Sequence, residues 1–236
     1  MVMNRILTIV IFTLILGSCK TITGSGHIKT EERSTGSFDG IESTGSIDIE
    51  VKNGPGQMVE IEGDDNILPY VVAKVSNGLL KIGYKSHLSF VDSHVKAYVT
   101  TPTLKRIHVS GSADITARDT LRDENEIELH VGGSGDIKAI LHSPSISANV
   151  SGSGSIVLIG KARNFKVTVS GSGDVKCRDL LSENTIVRVS GSGSAHVFAS
   201  VKLDADVSGS GHIYYSGNPS SPSINKSGSG SVQAEK

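Results

Sequence analysis

The stretch FKVTVSGSGDVKC, residues 165–177, carries the pattern on which the fold depends. Every second residue, beginning with Phe165, is apolar or glycine, and the residues between are polar or charged. Strict alternation of this kind predicts a strand with one buried face and one solvent-facing face. Gly171 and Gly173 fall in the buried column, where glycine indicates a bend or a close approach of another backbone. The stretch therefore predicts a strand, a Gly-Ser-Gly corner and a second short strand.

The same pattern occurs seven times, at spacings of 22, 19, 19, 20, 18 and 19 residues. The first glycines of the corners are Gly111, Gly133, Gly152, Gly171, Gly191, Gly209 and Gly228. A flexible Gly/Ser linker is excluded, because Val, Ile and Ala occupy fixed offsets around each corner. The period instead predicts an all-β, parallel single-stranded β-solenoid (β-helix-like) with coils of about 19–20 residues and equivalent residues stacked ~4.8 Å apart. Polar segments such as 142–145 and 178–184 are predicted to be return loops.

Two features of the repeats concern the core and its end. Cys177 is predicted to be a small buried hydrophobe rather than a reactive thiol, because it falls in an inward column. The other members of that column are Ala139, Leu158, Val197 and Tyr215. In the last repeat Pro222 and Lys226 take inward positions, which predicts a cap that stops a further strand from pairing.

The region preceding the regular repeats, residues 38–105, is also β-rich but less periodic. Asn77-Gly78 is a hairpin-type turn signal. A degraded repeat around Gly45 lies 66 residues before Gly111, which leaves room for three coils of 22 residues. We predict either irregular coils of the same solenoid or an antiparallel cap here, followed by regular solenoid repeats with a C-terminal cap over 106–236.

The first residues have the pattern of a bacterial export signal. Within 1–18, one basic residue precedes an apolar run at 6–16, which is too short for a permanent membrane span. The segment Leu16-Gly17-Ser18-Cys19 resembles a lipobox, which implies that Cys19 becomes the lipidated first residue and anchors the chain to the outer membrane. Residues 19–37 are interpreted as the lipidated cysteine and a tether with one repeat-like strand. Both periplasmic and surface placement stay open.

Composition excludes several function classes. The chain has 236 residues, with 23 basic and 24 acidic side chains, so no excess of positive charge is present to neutralise a nucleic-acid backbone. Its 2 cysteines cannot build a disulfide scaffold or a cysteine-based zinc site. Aromatic residues make up 4% of the chain and tryptophan is absent, so few aromatic platforms are available for sugars.

The pattern as a whole resembles the bacterial putative auto-transporter adhesin, head GIN domain, family. The matching features are the lipoprotein leader, FDGI at 38–41, GDDNIL at 63–68, NGLLKI at 77–82 and the VSGSGD-type repeats. The resemblance covers roughly residues 38–220 and implies a β-solenoid-like exported domain with an adhesive role. It supplies no catalytic residues, and fold analogy alone does not establish a function.

Outward columns are the places to search for chemistry. Asp114 and Asp136 are predicted to be neighbours on successive coils, about 5 Å apart, where like charges raise one pKa or attract a cation. Such a pair fits a metal site or the acid and base of a polysaccharide-cleaving solenoid, and it also fits two solvated carboxylates at a bend. His108 and His130 share another column, but two histidines without a third ligand do not make a metal site. We expect no metal, no cofactor and no catalytic residue.

The most regular outward feature is a candidate surface ladder of serines. Its members are Ser112, Ser134, Ser153, Ser172, Ser192 and Ser210. A second serine column precedes it by two residues in most repeats. Serine suits a tight corner for structural reasons alone, and a stripe of hydroxyls near Tyr98 and Tyr214 also suits contact with a sugar polymer or a partner protein.

These observations predict a lipid-anchored cell-envelope binding or adhesion module that is not an enzyme. Its expected partners are the membrane, through the lipid, and a glycan or an envelope or surface protein, but not nucleic acid. A repetitive polar surface on a rigid rod suits many weak contacts. The alternatives are a polysaccharide-active β-helix enzyme and a structural spacer of the envelope.

Overall fold

The computed structural model describes residues 20–85 and 88–235, so the predicted signal peptide (1–18) and the predicted lipidation site, Cys19, lie outside the described residues. The described chain consists of strands, turns and one 3-10 turn, Leu68–Tyr70. The N-terminal half contributes β1 (Lys20–Thr23), β2 (Ile28–Glu32), β3 (Gly40–Ser43), β4 (Asp48–Asn53), β5 (Met58–Asp64), β6 (Val71–Ser76), β7 (Leu79–Tyr84), β8 (Leu88–Val91) and β9 (Val95–Thr101).

The second half contributes the longer strands. They are β10 (Arg106–Val109), β11 (Ile115–Arg122), β12 (Glu126–Val131), β13 (Ile137–Val150), β14 (Ser155–Val169), β15 (Asp174–Cys177), β16 (Leu180–Gly191), β17 (Ser194–Phe198), β18 (Lys202–Gly209), β19 (His212–Ser216), β20 (Ser223–Gly228) and β21 (Ser231–Ala234). All pairings among these twelve strands are parallel.

The parallel strands stack as a solenoid of about 7 turns, which confirms the predicted fold. We number the coils 1 to 7, as 106–125, 126–144, 145–163, 164–183, 184–201, 202–220 and 221–235. The register follows the sequence repeat, since in coils 2 to 5 the valine before each corner lies opposite the valine of the next coil. The pairs are Val131–Val150, Val150–Val169, Val169–Val189 and Val189–Val207.

The Gly-Ser-Gly corners stack as closely as the strands do. A Cβ atom on Gly173 would lie 2.1 Å from the carbonyl oxygen of Gly154 and 2.7 Å from Cγ1 of Val150. Only glycine fits such a position, because the backbone of the preceding coil fills the space that a side chain would need. The corner glycines therefore set how closely successive coils approach.

The return segments form a third wall of each coil rather than loops. We call 120–123, 140–143, 159–163, 180–183 and 198–201 the third wall. The prediction of polar return loops was wrong for 142–145, which lies within β13, and for most of 178–184, which belongs to β16. Inward leucines such as Leu141 and Leu180 share this wall with inward serines, which bond to other side chains or to the backbone. Ser182, for example, is 2% exposed, and its hydroxyl donates to the carbonyl oxygen of Phe198 at 2.5 Å.

The N-terminal half combines the two predicted alternatives. β3 and β4 form a coil that pairs in parallel with β10 and β11 on one side and with β7 and β9 on the other. Antiparallel strands then cover this end: β6 pairs with β7, β5 with β9, and β2 with β5. The predicted hairpin turn between β6 and β7 is confirmed, with φ of 52° at Asn77 and 71° at Gly78.

The segment 20–37, which we interpreted as a tether, contributes two strands. β2 pairs with β5, and β1 pairs in parallel with β8 as a separate two-stranded sheet. At the other end of the solenoid, β20 and β21 pair with the preceding coil. Lys226 takes the inward register opposite Val207 and is exposed there, as expected for a cap.

A continuous aliphatic core runs through the coils. Phe165 is 1% exposed, and the valines before the corners are equally buried. Cys177 lies opposite Val197 in its inward column and is fully buried, which confirms the prediction of a buried thiol. Burial raises the pKa of this thiol far above its ordinary value.

Candidate functional site

The serine ladder is exposed along its whole length. Each ladder serine is fixed by its backbone, because its N–H donates to the carbonyl of the first corner glycine one coil earlier. The distances are 2.9 Å for Ser112 to Gly45, 2.9 Å for Ser134 to Gly111, 3.0 Å for Ser153 to Gly133, 3.2 Å for Ser172 to Gly152, 3.1 Å for Ser192 to Gly171 and 3.0 Å for Ser210 to Gly191. In the described part of the chain, no hydrogen bond joins the stacked hydroxyls of this ladder to each other. The backbone therefore holds the corner, and the hydroxyls face solvent.

The acidic column is the outward column formed by Asp48, Asp114, Asp136, Ser155, Asp174 and Ser194, and its carboxylates join one coil to the next. The Oδ1 atom of Asp114 accepts the backbone N–H of Asp136 at 2.9 Å. The Oδ1 atom of Asp136 in turn accepts both the N–H and the hydroxyl of Ser155, each at 2.9 Å. Asp48 does the same for the N–H of Asp114 at 2.9 Å. These aspartates thus replace a backbone acceptor at the start of the second strand.

The residue in this column determines which acceptor the backbone N–H of the equivalent residue in the following coil uses. Where the preceding coil has an aspartate, the N–H donates to its carboxylate, as Ser194 does to Asp174 at 3.1 Å. Where the preceding coil has a serine, the N–H donates to the carbonyl oxygen of that coil's second corner glycine, as Asp174 does to Gly154 at 3.2 Å and His212 does to Gly193 at 3.1 Å. The aspartates are therefore alternative coil-to-coil acceptors.

The parallel register brings Asp114 and Asp136 together, and a hydrogen bond joins the two residues. Lys138 lies within 4.0 Å of the second oxygen of Asp114 and 3.8 Å of that of Asp136. One oxygen of each carboxylate is occupied by a backbone donor, and the ammonium group offsets the repulsion between the other two. Lys138 and the backbone donors thus hold the two carboxylates side by side.

The two histidines of the neighbouring column are also adjacent. The rings of His108 and His130 lie 5.9 Å apart at 78°. Nε2 of His108 is buried and has no hydrogen-bond partner in the described residues. Burial lowers the pKa of His108, although the carboxylates of Glu128 and Glu42 act in the opposite direction. Within 20–85 and 88–235, no group of three or more His, Cys, Asp or Glu residues is arranged to hold a metal ion.

Two glutamates of the N-terminal half hold ion clusters that the sequence analysis did not identify. Glu50 accepts hydrogen bonds from Lys96 at 3.0 Å and Arg118 at 3.3 Å. The Lys96 hydrogen bond lowers the pKa of Glu50, with burial opposing it and Arg118 assisting. Burial alone would raise the pKa of Glu42, but hydrogen bonds from Lys81 and Ser110 outweigh it and lower the pKa. Both clusters join strands that are distant in sequence, so they stabilise the stack.

Tyr98 and Tyr214, which were expected near the serine ladder, lie at opposite ends of another outward column. Tyr214 stacks on His196 with 4.6 Å between ring centroids and 18° between planes. The hydroxyl of Tyr98 donates to Glu62 at 3.4 Å in the N-terminal half. Because the intervening coils separate them, the two tyrosines do not form a shared platform.

A recess on the third wall was missed from the sequence. It has a volume of about 630 Å³ and is lined by residues from coils 1 to 5. We call it the axial groove and define it by His142, Lys161, Arg163, Leu181, Glu183 and Phe198. A change in coil length accompanies it. Between the paired positions Cys177–Val197 and Asn184–Lys202, coil 4 has the six residues 178–183, whereas coil 5 has the four residues 198–201.

The charges of the axial groove are arranged around His142. Nη1 of Arg122 lies 2.8 Å from Nδ1 of His142. A guanidinium group can only donate, so Nδ1 accepts and the proton of the neutral ring is on Nε2. Burial lowers the pKa of His142, and the positive charges of Arg122 and Lys161 lower it further. The middle of the groove therefore has a positive potential.

Comparisons with known proteins are consistent with this fold. The family model described as "Putative auto-transporter adhesin, head GIN domain" matches residues 37–219. No curated protein matches the chain. No helix among residues 20–85 and 88–235 has the length and apolar character that crossing a membrane requires.

Several crystal structures are similar over nearly the whole chain. A putative adhesin from Bacteroides fragilis has 23% identity and a TM-score of 0.84, covering 91% of this chain and 100% of its own. A putative lipid binding protein from Parabacteroides distasonis has 26% identity and a TM-score of 0.78, covering 92% and 100%. A putative adhesin from Parabacteroides merdae has 22% identity and a TM-score of 0.72, also covering 92% and 100%. With a family model that matches most of its length, this chain belongs to the putative auto-transporter adhesin, head GIN domain, family.

Proposed function

We propose that this chain is a lipid-anchored, non-enzymatic binding module of the bacterial cell envelope. The observation that carries the proposal is that the acidic column and the serine ladder differ in their hydrogen bonding. Carboxylates of the acidic column accept hydrogen bonds between coils, whereas the ladder hydroxyls form no hydrogen bond within residues 20–85 and 88–235 and lie at a regular spacing. The adhesin-like family supports the same conclusion.

The hydrogen bonds of the acidic column argue against an acid–base mechanism. A general acid must hold a proton and a general base must accept one, and each needs an oxygen directed towards the substrate. In Asp136 the backbone and hydroxyl of Ser155 occupy Oδ1, and Lys138 lies close to Oδ2. Asp136 is thus better suited to stabilising coil contacts than to exchanging protons.

The serine ladder favours recognition of a repeating partner. Its hydroxyls are spaced by the ~4.8 Å of adjacent strands, and each can donate and accept a hydrogen bond. Individual hydroxyl contacts are weak, but a ligand that contacts several coils at once gains affinity through effective concentration. A glycan chain or an envelope protein provides such repeated polar groups.

A binding array tests this proposal. Full-length chain would be applied to immobilised envelope glycans, envelope proteins and lipid vesicles, the last because one relative is described as lipid binding. The ladder variant changes Ser153, Ser172 and Ser192 to Ala, which removes hydroxyls but leaves the backbone bonds. The matched control changes the exposed serines 220, 221 and 223 to Ala. We expect about tenfold or greater loss of apparent affinity for the ladder variant only.

The two alternatives make different predictions in the same assay. The double variant Asp114→Asn with Asp136→Asn keeps an oxygen acceptor for each backbone N–H but removes both carboxylates. If the chain degrades an anionic glycan and this variant does not, the chain is an enzyme. If no envelope component binds above background and deleting coil 3 leaves envelope function intact, the chain is a spacer.

The lipid anchor has a separate test. Changing Cys19 to Ser removes the only proposed lipid acceptor, so the chain should move from the membrane fraction to the soluble fraction. Protease treatment of intact cells then distinguishes surface placement, in which wild type is cleaved, from periplasmic placement, in which it is protected. If Cys19→Ser stays with the membrane, the lipid anchor is not what holds the chain there.

A further inference from the structure

The axial groove is a recess of about 630 Å³, and the ladder-based proposal does not use it. Its lining comes from five successive coils, from Asp123 in coil 1 to Ser200 in coil 5. Because coils are spaced by the ~4.8 Å of adjacent strands, the groove extends on the order of 20 Å along the solenoid axis. That length matches a linear polymer of a few units better than a compact small molecule.

The step in the third wall gives the groove its depth. Coil 5 has two residues fewer than coil 4 on this wall, so it cannot follow the outline of its neighbour. Leu181, at the edge of this step, is 47% exposed, although the adjacent Leu180 and Ser182 are buried. The coils on both sides hold this shape through backbone hydrogen bonds, including Ser200 N–H to the Ser182 carbonyl at 3.0 Å. The groove is thus a rigid feature of the stack.

Two cations occupy the centre of the groove without an acidic partner. Lys161 and Arg163 are on the same strand of coil 3, two residues apart, so their side chains leave the same face. In the described residues, neither forms an ion pair with a carboxylate. Next to them, the Nε2–H of His142 is a further donor, since Arg122 fixes the opposite nitrogen as the acceptor. Three donors in succession favour an anionic group on the ligand.

The coil 5 end of the groove is chemically different. Phe198 contributes a half-buried ring, and Leu181 adds apolar surface beside it. Glu183, which has no ion-pair partner among the described residues, supplies acceptors for hydroxyl groups. An apolar ring face next to hydroxyl acceptors is the usual environment for a sugar ring, whose C–H face packs on aromatic surface while its hydroxyls donate.

We propose that the axial groove binds a segment of acidic polysaccharide, with a uronate carboxylate held by Lys161 and Arg163 and a neighbouring sugar ring packed on Phe198. This inference rests on the proposed binding function and assigns a ligand class to a site separate from the serine ladder. The ligand runs parallel to the solenoid axis. Its carboxylate replaces the acidic partner that both cations lack in the described chain.

The test uses the full chain purified in detergent and titrated with polygalacturonate oligomers. Fully methyl-esterified oligomers of the same length are the matched ligand, because they keep the sugar backbone and lose the charge. The groove variant is Lys161→Gln with Arg163→Gln. The matched protein control is Lys166→Gln with Arg188→Gln, which removes the same charge from exposed positions on another wall.

We expect the acidic oligomers to bind, the esterified oligomers to bind at least about tenfold more weakly, and the groove variant to lose about tenfold to hundredfold in affinity. The control variant should bind as wild type does. A third variant, Phe198→Ala, keeps the backbone carbonyl that Ser182 bonds and should weaken both ligands.

Three outcomes would overturn the inference. Equal losses in the groove and control variants would mean attraction to net charge alone. Binding of the esterified oligomers as tightly as the acidic ones would remove the role of the two cations. No binding of uronate oligomers, with envelope binding through the serine ladder intact, would reject the groove ligand while leaving the proposed function standing. If the wild-type chain bound no envelope component in the array, the proposed function itself would be rejected.

Discussion

Replacing Gly173 by alanine should destabilise the solenoid by about 3 kcal/mol. The new Cβ would lie 2.1 Å from the Gly154 carbonyl oxygen and 2.7 Å from Cγ1 of Val150, so coil 3 and coil 4 must separate by about 1 Å at this corner. Overpacking of this kind costs about 1–3 kcal/mol. The same carbonyl accepts the N–H of Asp174 at 3.2 Å, and weakening that bond adds about 1 kcal/mol.

The cost arises from lack of space rather than from backbone strain. The φ of Gly173 lies outside the left-handed region, which alanine avoids, whereas the corner glycines Gly191 and Gly209 have φ of 145° and 115°. Gly173→Ala therefore isolates the packing term. For a domain of this size a loss of 3 kcal/mol lowers the melting temperature by about 6–12 °C, which thermal unfolding followed by circular dichroism can resolve.

Gly132→Ser is the matched control for this measurement. Gly132 stands where coils 3 to 6 have an exposed serine. A Cβ atom on Gly132 would have Nε2 of His130 as its nearest neighbour, at 3.2 Å, and this atom is the far end of a flexible side chain. We expect a change of less than about 0.5 kcal/mol for this variant. If both variants melt together with wild type, or both fall equally, then the coil corners do not stack in the register described.

Three further predictions concern individual side chains. Asp136→Ala removes the acceptor of both Ser155 donors and should cost about 1–2 kcal/mol in urea unfolding, whereas Asp136→Asn should cost less than half as much; equal losses would show that charge, not the hydrogen bond, matters. The pKa of Glu50 is lowered by Lys96, so its contribution to stability is complete well above the ordinary value of 4.5 and is lost as the pH falls through the lower folded-state pKa. Glu50→Gln should therefore be less stable than wild type at pH 7 and converge with it in acid, as measured by unfolding at a series of pH values; a constant gap would contradict this linkage. The Cys177 thiol should resist thiol reagents in the native protein and react fully after unfolding in guanidinium, because burial raises its pKa and blocks access; rapid native reaction would refute its burial.

The regular coils could be predicted because their information is local. In 165–177 each inward position is apolar or glycine and each outward position is polar, and the repeat spacing fixes the register. The third wall differs because some of its buried side chains are polar and hydrogen-bonded. Its inward Ser182 is buried and donates to the carbonyl of Phe198 at 2.5 Å, and the buried Thr185 at the start of the next coil donates to the same carbonyl at 2.6 Å. Inward positions on this wall hold serine as well as leucine, so the apolar alternation is weaker in the sequence and predicts loops in place of these strands.

The order of the N-terminal strands could not be predicted for a topological reason. The coil of β3 and β4 lies between the coil of β7 and β9 and the coil of β10 and β11. The chain therefore passes its own first coil and returns to it before the regular repeats begin. Each strand has the expected alternation, but alternation defines only the inward face and not the neighbour in the sheet. The distance of 66 residues from Gly45 to Gly111 predicted coils without predicting their order.

For the candidate sites, the sequence predicted positions better than roles. The stacking of Asp114 on Asp136 followed from the repeat, but the donor that occupies the carboxylate is a backbone N–H, which no column of side chains reveals. A signal for the axial groove was present, since the corner spacing falls from 20 to 18 residues on entering coil 5. The spacing alone does not show that coil 5 is two residues shorter on the third wall rather than elsewhere in the coil.

Closed ends give this solenoid a defined number of surface repeats. At the N-terminal end β6 and β5 pair antiparallel to the outer coil, and at the C-terminal end Lys226 occupies an inward position that an added coil would have to bury. Burying an unpaired lysine costs several kcal/mol, which opposes growth at that edge. The six ladder serines lie one to a coil in coils 1 to 6, between these two ends. The proposed binding through several ladder serines would therefore gain avidity within one chain, without assembly with further copies.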